Sequence, residues 1–187
     1  TEFFANKCKI KKNSEVMLIK NKKISVSPIT THINLKDVTK KINRKIIIEK
    51  IKTLHFWFKK YEKKTPKICL LGLNPHNAEF KKNSEEQKIL LPIVKMLRQR
   101  GFKIDGPTSA DTIFVNKYKK YDVILGMYHD QVLAPFKALF KFDAINITLG
   151  LKYLRVSPDH GIASDLIFKK KANPSSLISC IKFIERY

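Results

Sequence analysis

Ile68-Cys69-Leu70-Leu71-Gly72-Leu73-Asn74-Pro75-His76 is the stretch whose reading decides the fold. Residues 68–73 are apolar without interruption, which is the pattern of a strand buried on both faces. Working outward, a helical pattern precedes it: in 45–61, Ile47, Ile48, Ile51, Leu54 and Phe58 recur at helical spacing. Another follows: Ser84 and Gln87 resemble a capping box, and Ile89, Leu90, Ile93, Val94 and Leu97 lead to a stop at Gly101, with a local kink expected at Pro92. Further strands are expected at 16–19, 24–26, 122–127, 144–149 and 153–156, and further helices over 35–42 and 175–185. Apolar strands alternating with helices in this way predict an α/β domain whose mostly parallel sheet is covered by helices.

Composition narrows the function classes. The 187 residues carry a formal charge of +22, yet of 38 basic residues only five are arginine (Arg44, Arg98, Arg100, Arg155 and Arg186). Readers of bases and phosphates rely on the bidentate guanidinium fork. A lysine coat spread over the whole chain instead fits compositional bias with abundant isoleucine and asparagine, so no nucleic-acid partner is expected, while the field would draw in an anionic substrate. Cys8, Cys69 and Cys180 are too far apart for a zinc knuckle or redox pair, and Cys69 reads as a core thiol. No apolar run is long enough to cross a bilayer. A soluble cytoplasmic protein is expected. The chain begins at Thr1, and its first residues read as the middle of something longer.

Three of the five histidines share a setting. His32 follows the 24–26 strand and its extension, His76 follows 68–73, and His129 follows 122–127. Ligands of open α/β sheets gather beyond the C-terminal ends of strands. One histidine there is most often an ordinary loop residue; three admit a catalytic divalent-metal site with open positions. His55, inside the 45–61 helix beside Phe56 and Trp57, reads as structural. Lys137, Asn146 and Arg155 lie around the histidines and suit an anionic substrate, Arg155 being the most specific because arginine is scarce here. Asp111 and Thr112, after Gly106-Pro107, mark either a further site loop or a turn and helix cap.

These residues fall in an ordered series. Gly72-Leu73-Asn74-Pro75-His76 with Glu79, Gly106-Pro107 with Ala110-Asp111-Thr112, Met127-Tyr128-His129-Asp130-Gln131, Asn146-Ile147-Thr148-Leu149-Gly150-Leu151 with Arg155, and Asp159-His160-Gly161 with Ala163 and Asp165 resemble the motifs of the 4-hydroxythreonine-4-phosphate dehydrogenase family. Thr1-Glu2-Phe3-Phe4 is similar to the family's His-Thr-Glu-Phe segment. The resemblance covers essentially the entire chain and implies a two-lobed α/β/α fold like that of isopropylmalate dehydrogenase, with the N-terminal part missing. It divides the chain into a metal- and substrate-binding lobe at 1–155 and a cofactor-side segment at 156–187 returning toward the missing lobe.

It implies NAD-dependent oxidation of 4-phosphooxy-L-threonine, followed by decarboxylation to 3-amino-2-oxopropyl phosphate, in pyridoxal phosphate (vitamin B6) biosynthesis. It also implies a homodimer in which His32, His76 and His129 hold zinc, magnesium or cobalt with ligands from both subunits. Thr1, Lys137, Asn146 and Arg155 match substrate positions, and His160, Gly161 and Asp165 match the cofactor side. Where the family has Ala-Gly-Glu after its histidine this chain has Asn77-Ala78-Glu79, a glycine after Gln131 is Val132, a threonine is Ile162, and an Ala-Gly is Ile167-Phe168. Such glycines serve positive φ or close approach, so the departures bear on sites rather than on the core; the metal and substrate residues themselves are kept, and the cofactor-side motif is damaged. The alternatives are a related metal-dependent dehydrogenase or decarboxylase of another phosphorylated hydroxy acid, a degenerate inactive homologue, and a basic nucleic-acid-binding module.

Overall fold

The computed structural model describes every residue except Thr1, Lys12, Ile162, Ala163, Phe168 and Lys170, and every remaining side chain except those of Glu2 and Asp165. Seven strands form one sheet: β1 (Val16–Lys20), β2 (Ser25–Pro28), β3 (Ile68–Leu71), β4 (Ile104–Thr108), β5 (Val123–Gly126), β6 (Ile145–Leu149) and β7 (Arg155–Pro158). Their order is β4-β3-β5-β2-β1-β6-β7. β4, β3, β5 and β2 pair in parallel, whereas β1 is antiparallel to β2 and to β6, and β7 is antiparallel to β6. Five of the seven strands, all but β1 and β7, therefore run in one direction, and the expectation of a mostly parallel α/β sheet holds.

The helices are α1 (Glu2–Lys7), α2 (Val38–Lys41), α3 (Arg44–Tyr61), α4 (Leu91–Gln99), α5 (Ala110–Ile113), α6 (His129–Phe140) and α7 (Ser175–Ile184). Alternate strand residues divide between two cores because successive side chains of a strand point to opposite faces. On one face Leu18, Leu70, Leu125 and Ile147 pack with Ile47, Ile51, Leu54 and Phe58 of α3, with Ile93 and Leu97 of α4, and with Phe183 of α7. On the other, Ile19, Val26, Leu71 and Ile124 pack with Val132, Leu133 and Phe136 of α6. All four residues of β3 are fully buried, as a strand covered on both sides requires.

Local chemistry explains the element ends. The Asn43 side chain accepts a hydrogen bond from the Ile46 amide at 3.1 Å and caps α3. The Ser84 hydroxyl accepts from the Gln87 amide at 3.2 Å. The helix that follows starts as a π turn, Glu86–Leu90, and runs without a break into α4, with Pro92 close to the join where the helix changes its hydrogen-bond pattern. His55 packs against Phe102, with ring centroids 4.5 Å apart and the planes tilted by 45°, and has the structural place expected of it. Burial pushes the Cys69 thiol up to about 11, so it is an unreactive core group. Among the described residues, no helix is long and apolar enough to cross a membrane.

Candidate functional site

β3, β5 and β2 are neighbours and parallel, and the chain leaving each one meets a histidine on the same edge of the sheet. The exits of β2 and β5 stay tied together: the Thr30 amide and hydroxyl both donate to the Met127 carbonyl, at 3.1 and 2.7 Å. His32 and His129 follow two residues later on their respective segments, and their rings lie with centroids 5.5 Å apart. His129 is the first residue of α6, and its Nδ1 is 2.7 Å from the Asp130 carboxylate.

His76 sits apart from this pair, in the turn Pro75–Phe80, with its side chain 77% exposed and its Nδ1 4.0 Å from Asp111 Oδ2. The edge thus gathers two of the three imidazoles closely and holds the third on the next segment along. Among the described residues, no three His, Cys, Asp or Glu side chains of one chain are grouped as a metal cage. Asp111 lies in α5, just past β4, so this loop is brought beside His76.

The turn carrying His76 is unusual in its backbone. His76, Asn77, Ala78, Glu79 and Phe80 all have φ between 49° and 56°, the left-handed region that costs an L-residue roughly 1–2 kcal/mol each. Ala78, at φ 50°, stands where the resemblance has glycine. Such a run persists only where neighbours over-determine it, and they do so here. Asn77 is buried and donates through Nδ2 to the Pro107 carbonyl at 3.2 Å. Gly72 lies beneath it: a Cβ there would fall 2.1 Å from Asn77 Oδ1.

Glu86, with no exposed surface, accepts from the Leu73 and Asn74 amides at 2.8 Å each and from Asn74 Nδ2 at 3.1 Å. Burial pushes its carboxyl up, but the hydrogen bonds from Asn74 and Leu73 outweigh this and hold it below the usual range. Glu86 was not among the residues singled out from the sequence, although a signal existed. It lies at helical spacing on the stripe of Leu90, Ile93 and Leu97, an acidic residue on a core-facing row.

The anion-binding candidates share one face. Asn146 is paired with Ile19 and Ser157, and Thr148 with Met17 and Arg155, so Asn146, Thr148 and Arg155 all project toward the side that α6 covers. Asn146 Oδ1 is buried without a hydrogen-bond partner. Arg155 donates from Nη1 to Thr148 Oγ1 at 2.8 Å and lies over the Phe4 ring at 4.6 Å. It opens β7, which starts two residues later than the apolar pattern suggests, because the pairing with β6 rather than hydrophobicity sets the strand.

Lys137 projects from α6, with its Nζ 3.4 Å from Asp159 Oδ1 and 3.3 Å from the Asp159 carbonyl oxygen. Asp159, 6% exposed, belongs to a quoted motif but had no role assigned. Burial pushes its carboxyl up, against the pull of Lys137, His129 and His160. Thr1 lies outside the described residues, as does the Asp165 side chain.

His160 and Gly161 line a separate open cleft of about 950 Å³ with Phe142, Asp143, Asn173 and Ser175. This cleft adjoins the start of β6 and the end of β7, away from the His32–His129 pair at the exits of β2 and β5. Its polar atoms beside an aromatic ring offer both hydrogen bonds and a flat apolar wall.

A parallel α/β sheet with histidines on three neighbouring strand exits, and cationic groups on one covered face, is the architecture of a small-molecule α/β enzyme domain. Residues 1–184 match the model of the family described as pyridoxal phosphate biosynthetic protein PdxA, and the chain belongs to that family. It is 47% identical over 168 residues to a 4-hydroxythreonine-4-phosphate dehydrogenase of Sulfurihydrogenibium sp. (strain YO3AOP1), covering 89% of this chain and 52% of that protein. It is 39% identical to one of Aquifex aeolicus (strain VF5), covering 99% and 57%. The crystal structure of 4-hydroxythreonine-4-phosphate dehydrogenase from Klebsiella pneumoniae superposes with a TM-score of 0.81 at 32% identity, covering 97% of this chain and 55% of that one. The chain spans about half the length of the relatives it matches.

Proposed function

We propose that this chain provides the metal- and substrate-binding part of an NAD-dependent 4-hydroxythreonine-4-phosphate dehydrogenase of the cytoplasm, which oxidises 4-phosphooxy-L-threonine and releases carbon dioxide to leave 3-amino-2-oxopropyl phosphate. The observation that carries it is the contiguity of β3, β5 and β2, the three parallel strands whose exits bear His76, His129 and His32. Imidazole suits zinc, cobalt and similar ions. His32 and His129, 5.5 Å apart between ring centroids, form a two-ligand half-site. A second copy of the chain completes it in the homodimer we propose, with His76 as the third ligand. A divalent ion held there supplies Lewis acidity, lowering the pKa of a coordinated hydroxyl and polarising a carbonyl.

The chain's own groups bind and orient the substrate. Lys137 has three N–H donors; one is given to the Asp159 carbonyl, and the ammonium is ion-paired with the Asp159 carboxylate. A donor remains for a phosphate or carboxylate oxygen. Arg155 keeps donors beyond its bond to Thr148, and Asn146 Oδ1 has no protein partner. Anionic ends held by Lys137 and Arg155 fix the position of the reacting carbon between them. His160 and Gly161 line a cleft large enough for a flat ring and would hold part of NAD there; the cofactor, when bound, would supply the hydride acceptor.

We assign residues 1–155 to the metal and substrate lobe and 156–187 to a cofactor-side segment facing the rest of the two-lobed fold. Leu177, Ile178, Ile181 and Ile184 of α7, each about half exposed, support this as an apolar face suited to cover.

The test uses the homodimer with 4-phosphooxy-L-threonine and NAD, following NADH absorbance and bound metal. His76→Ala is expected to lose both. Unchanged turnover in that variant contradicts the reading. Carbon dioxide released equally well without NAD would instead favour a relative that only decarboxylates.

A further inference from the structure

The Gln131 side chain links the segments that bear His129 and His76. The parallel pairing of β3 with β5 runs Ile68↔Val123, Cys69↔Ile124 and Leu70↔Leu125. Those rungs end at Leu70↔Leu125, before either histidine is reached. There Gln131 Oε1 accepts from the Met127 amide at 2.6 Å, and Gln131 Nε2 donates to the Gly72 carbonyl at 2.7 Å. One carboxamide thus offers an acceptor to β5 and a donor to β3, as a further peptide unit of a strand would.

The backbone is built to admit it. A Cβ on Gly126 would fall 2.9 Å from Gln131 Oε1 and 2.6 Å from Val132 Cγ1, so only glycine leaves room for the amide to reach back. Met127 and Gly72 are both buried, so losing Gln131 would leave an amide and a carbonyl without partners. On the next two residues of the same loop, Glu86 accepts from the Leu73 and Asn74 amides.

We propose that Gln131 is a positioning residue: it ties the His129 segment to the His76 segment, with Glu86 bracing the His76 loop, so that each chain presents His129 to one metal site of the homodimer and His76 to the other from fixed places, and thereby sets divalent-metal affinity. This rests on the histidine metal site proposed above and deepens it. The side chain is neutral and touches the segments rather than the rings, so it acts through geometry. Groups that orient metal ligands at one remove typically account for ~10–100-fold in affinity.

The experiment measures cobalt(II) binding to the homodimer by competition with a chromophoric chelator, together with the visible absorption bands of the bound cobalt. Gln131→Met keeps the size but loses the donor, and Gln131→Glu keeps the acceptor toward Met127 while setting a carboxylate against the Gly72 carbonyl. Both are expected to bind cobalt ~10–100-fold more weakly and to alter the bands. Ile51→Val, which loosens the core under α3 rather than the helix that carries Glu86, controls for lost stability and is expected to leave affinity and bands unchanged. Wild-type affinity and bands in both Gln131 variants overturn the positioning role alone. A wild-type homodimer that binds no cobalt saturably removes the metal site itself, and this role with it.

Discussion

Gly72 carries more of the site's geometry than its size suggests. Its missing side chain is the space into which Asn77 folds, and Asn77 anchors the left-handed turn that presents His76. Gly72→Ala is therefore expected to cost about 1–3 kcal/mol through overpacking, read by denaturant unfolding, and to weaken metal binding as the turn shifts. Full stability and unchanged affinity would refute this account of the turn. Glu86 gives a pH signature. Its folded-state pKa lies below the unfolded value, so it contributes stability above the ordinary glutamate range, and that stability is lost as pH falls through the folded pKa. Glu86→Gln is expected to cost about 1.5–3 kcal/mol at neutral pH, the range for hydrogen bonds to a charged group, and to flatten the acid limb below about pH 4.5. An acid limb identical to wild type would count against the carboxylate's role. The histidines, Lys137, Asn146 and Arg155 could be put forward from sequence because their residue types advertise their chemistry. Glu86, Gln131 and Asp159 were not, since each acts through hydrogen bonds to segments distant in sequence, and sequence shows no partners.

At the scale of elements, buried apolar runs were legible and elements held by pairing were not. β3 and β5 announce themselves as unbroken apolar stretches. β4, with the sequence Ile-Asp-Gly-Pro-Thr, buries only Ile104 and Pro107, and exists because its backbone pairs with β3. The 68–73 run also overstates its strand by two residues: β3 ends at Leu71, the Gly72 amide still reaches the Thr108 carbonyl, and the Leu73 amide is taken by Glu86. α6 begins directly on His129 with a proline inside it, at Pro135, so it was hidden behind the strand signal that precedes it. α7 is held by one face only: Phe183 stacks on Trp57 with centroids 6.3 Å apart, while Leu177 and Ile181 remain exposed. Phe183→Ala is expected to destabilise the protein by about 3–5 kcal/mol, seen as a lowered urea midpoint, whereas Leu177→Ala should change the stability of the same chain by under ~1 kcal/mol. Equal costs would show that the apolar face of α7 is already covered.

For the whole molecule, the order of strands is the fact that periodicity could not supply. Three strand-end histidines have no necessary relation until β5 is found between β2 and β3. The charge of +22 remains a property of a lysine-rich surface; the features with specific geometry are on the edge and the α6 face. The central claim is that His32, His76 and His129 of the assembled homodimer meet at one divalent ion. X-ray absorption fine structure of the zinc-loaded homodimer tests it most directly. The account predicts about three imidazole nitrogens at ~2.0–2.1 Å with the multiple scattering of histidine rings, falling by one in His76→Ala. A shell of oxygen or sulfur without imidazole, or one unchanged in that variant, would contradict it.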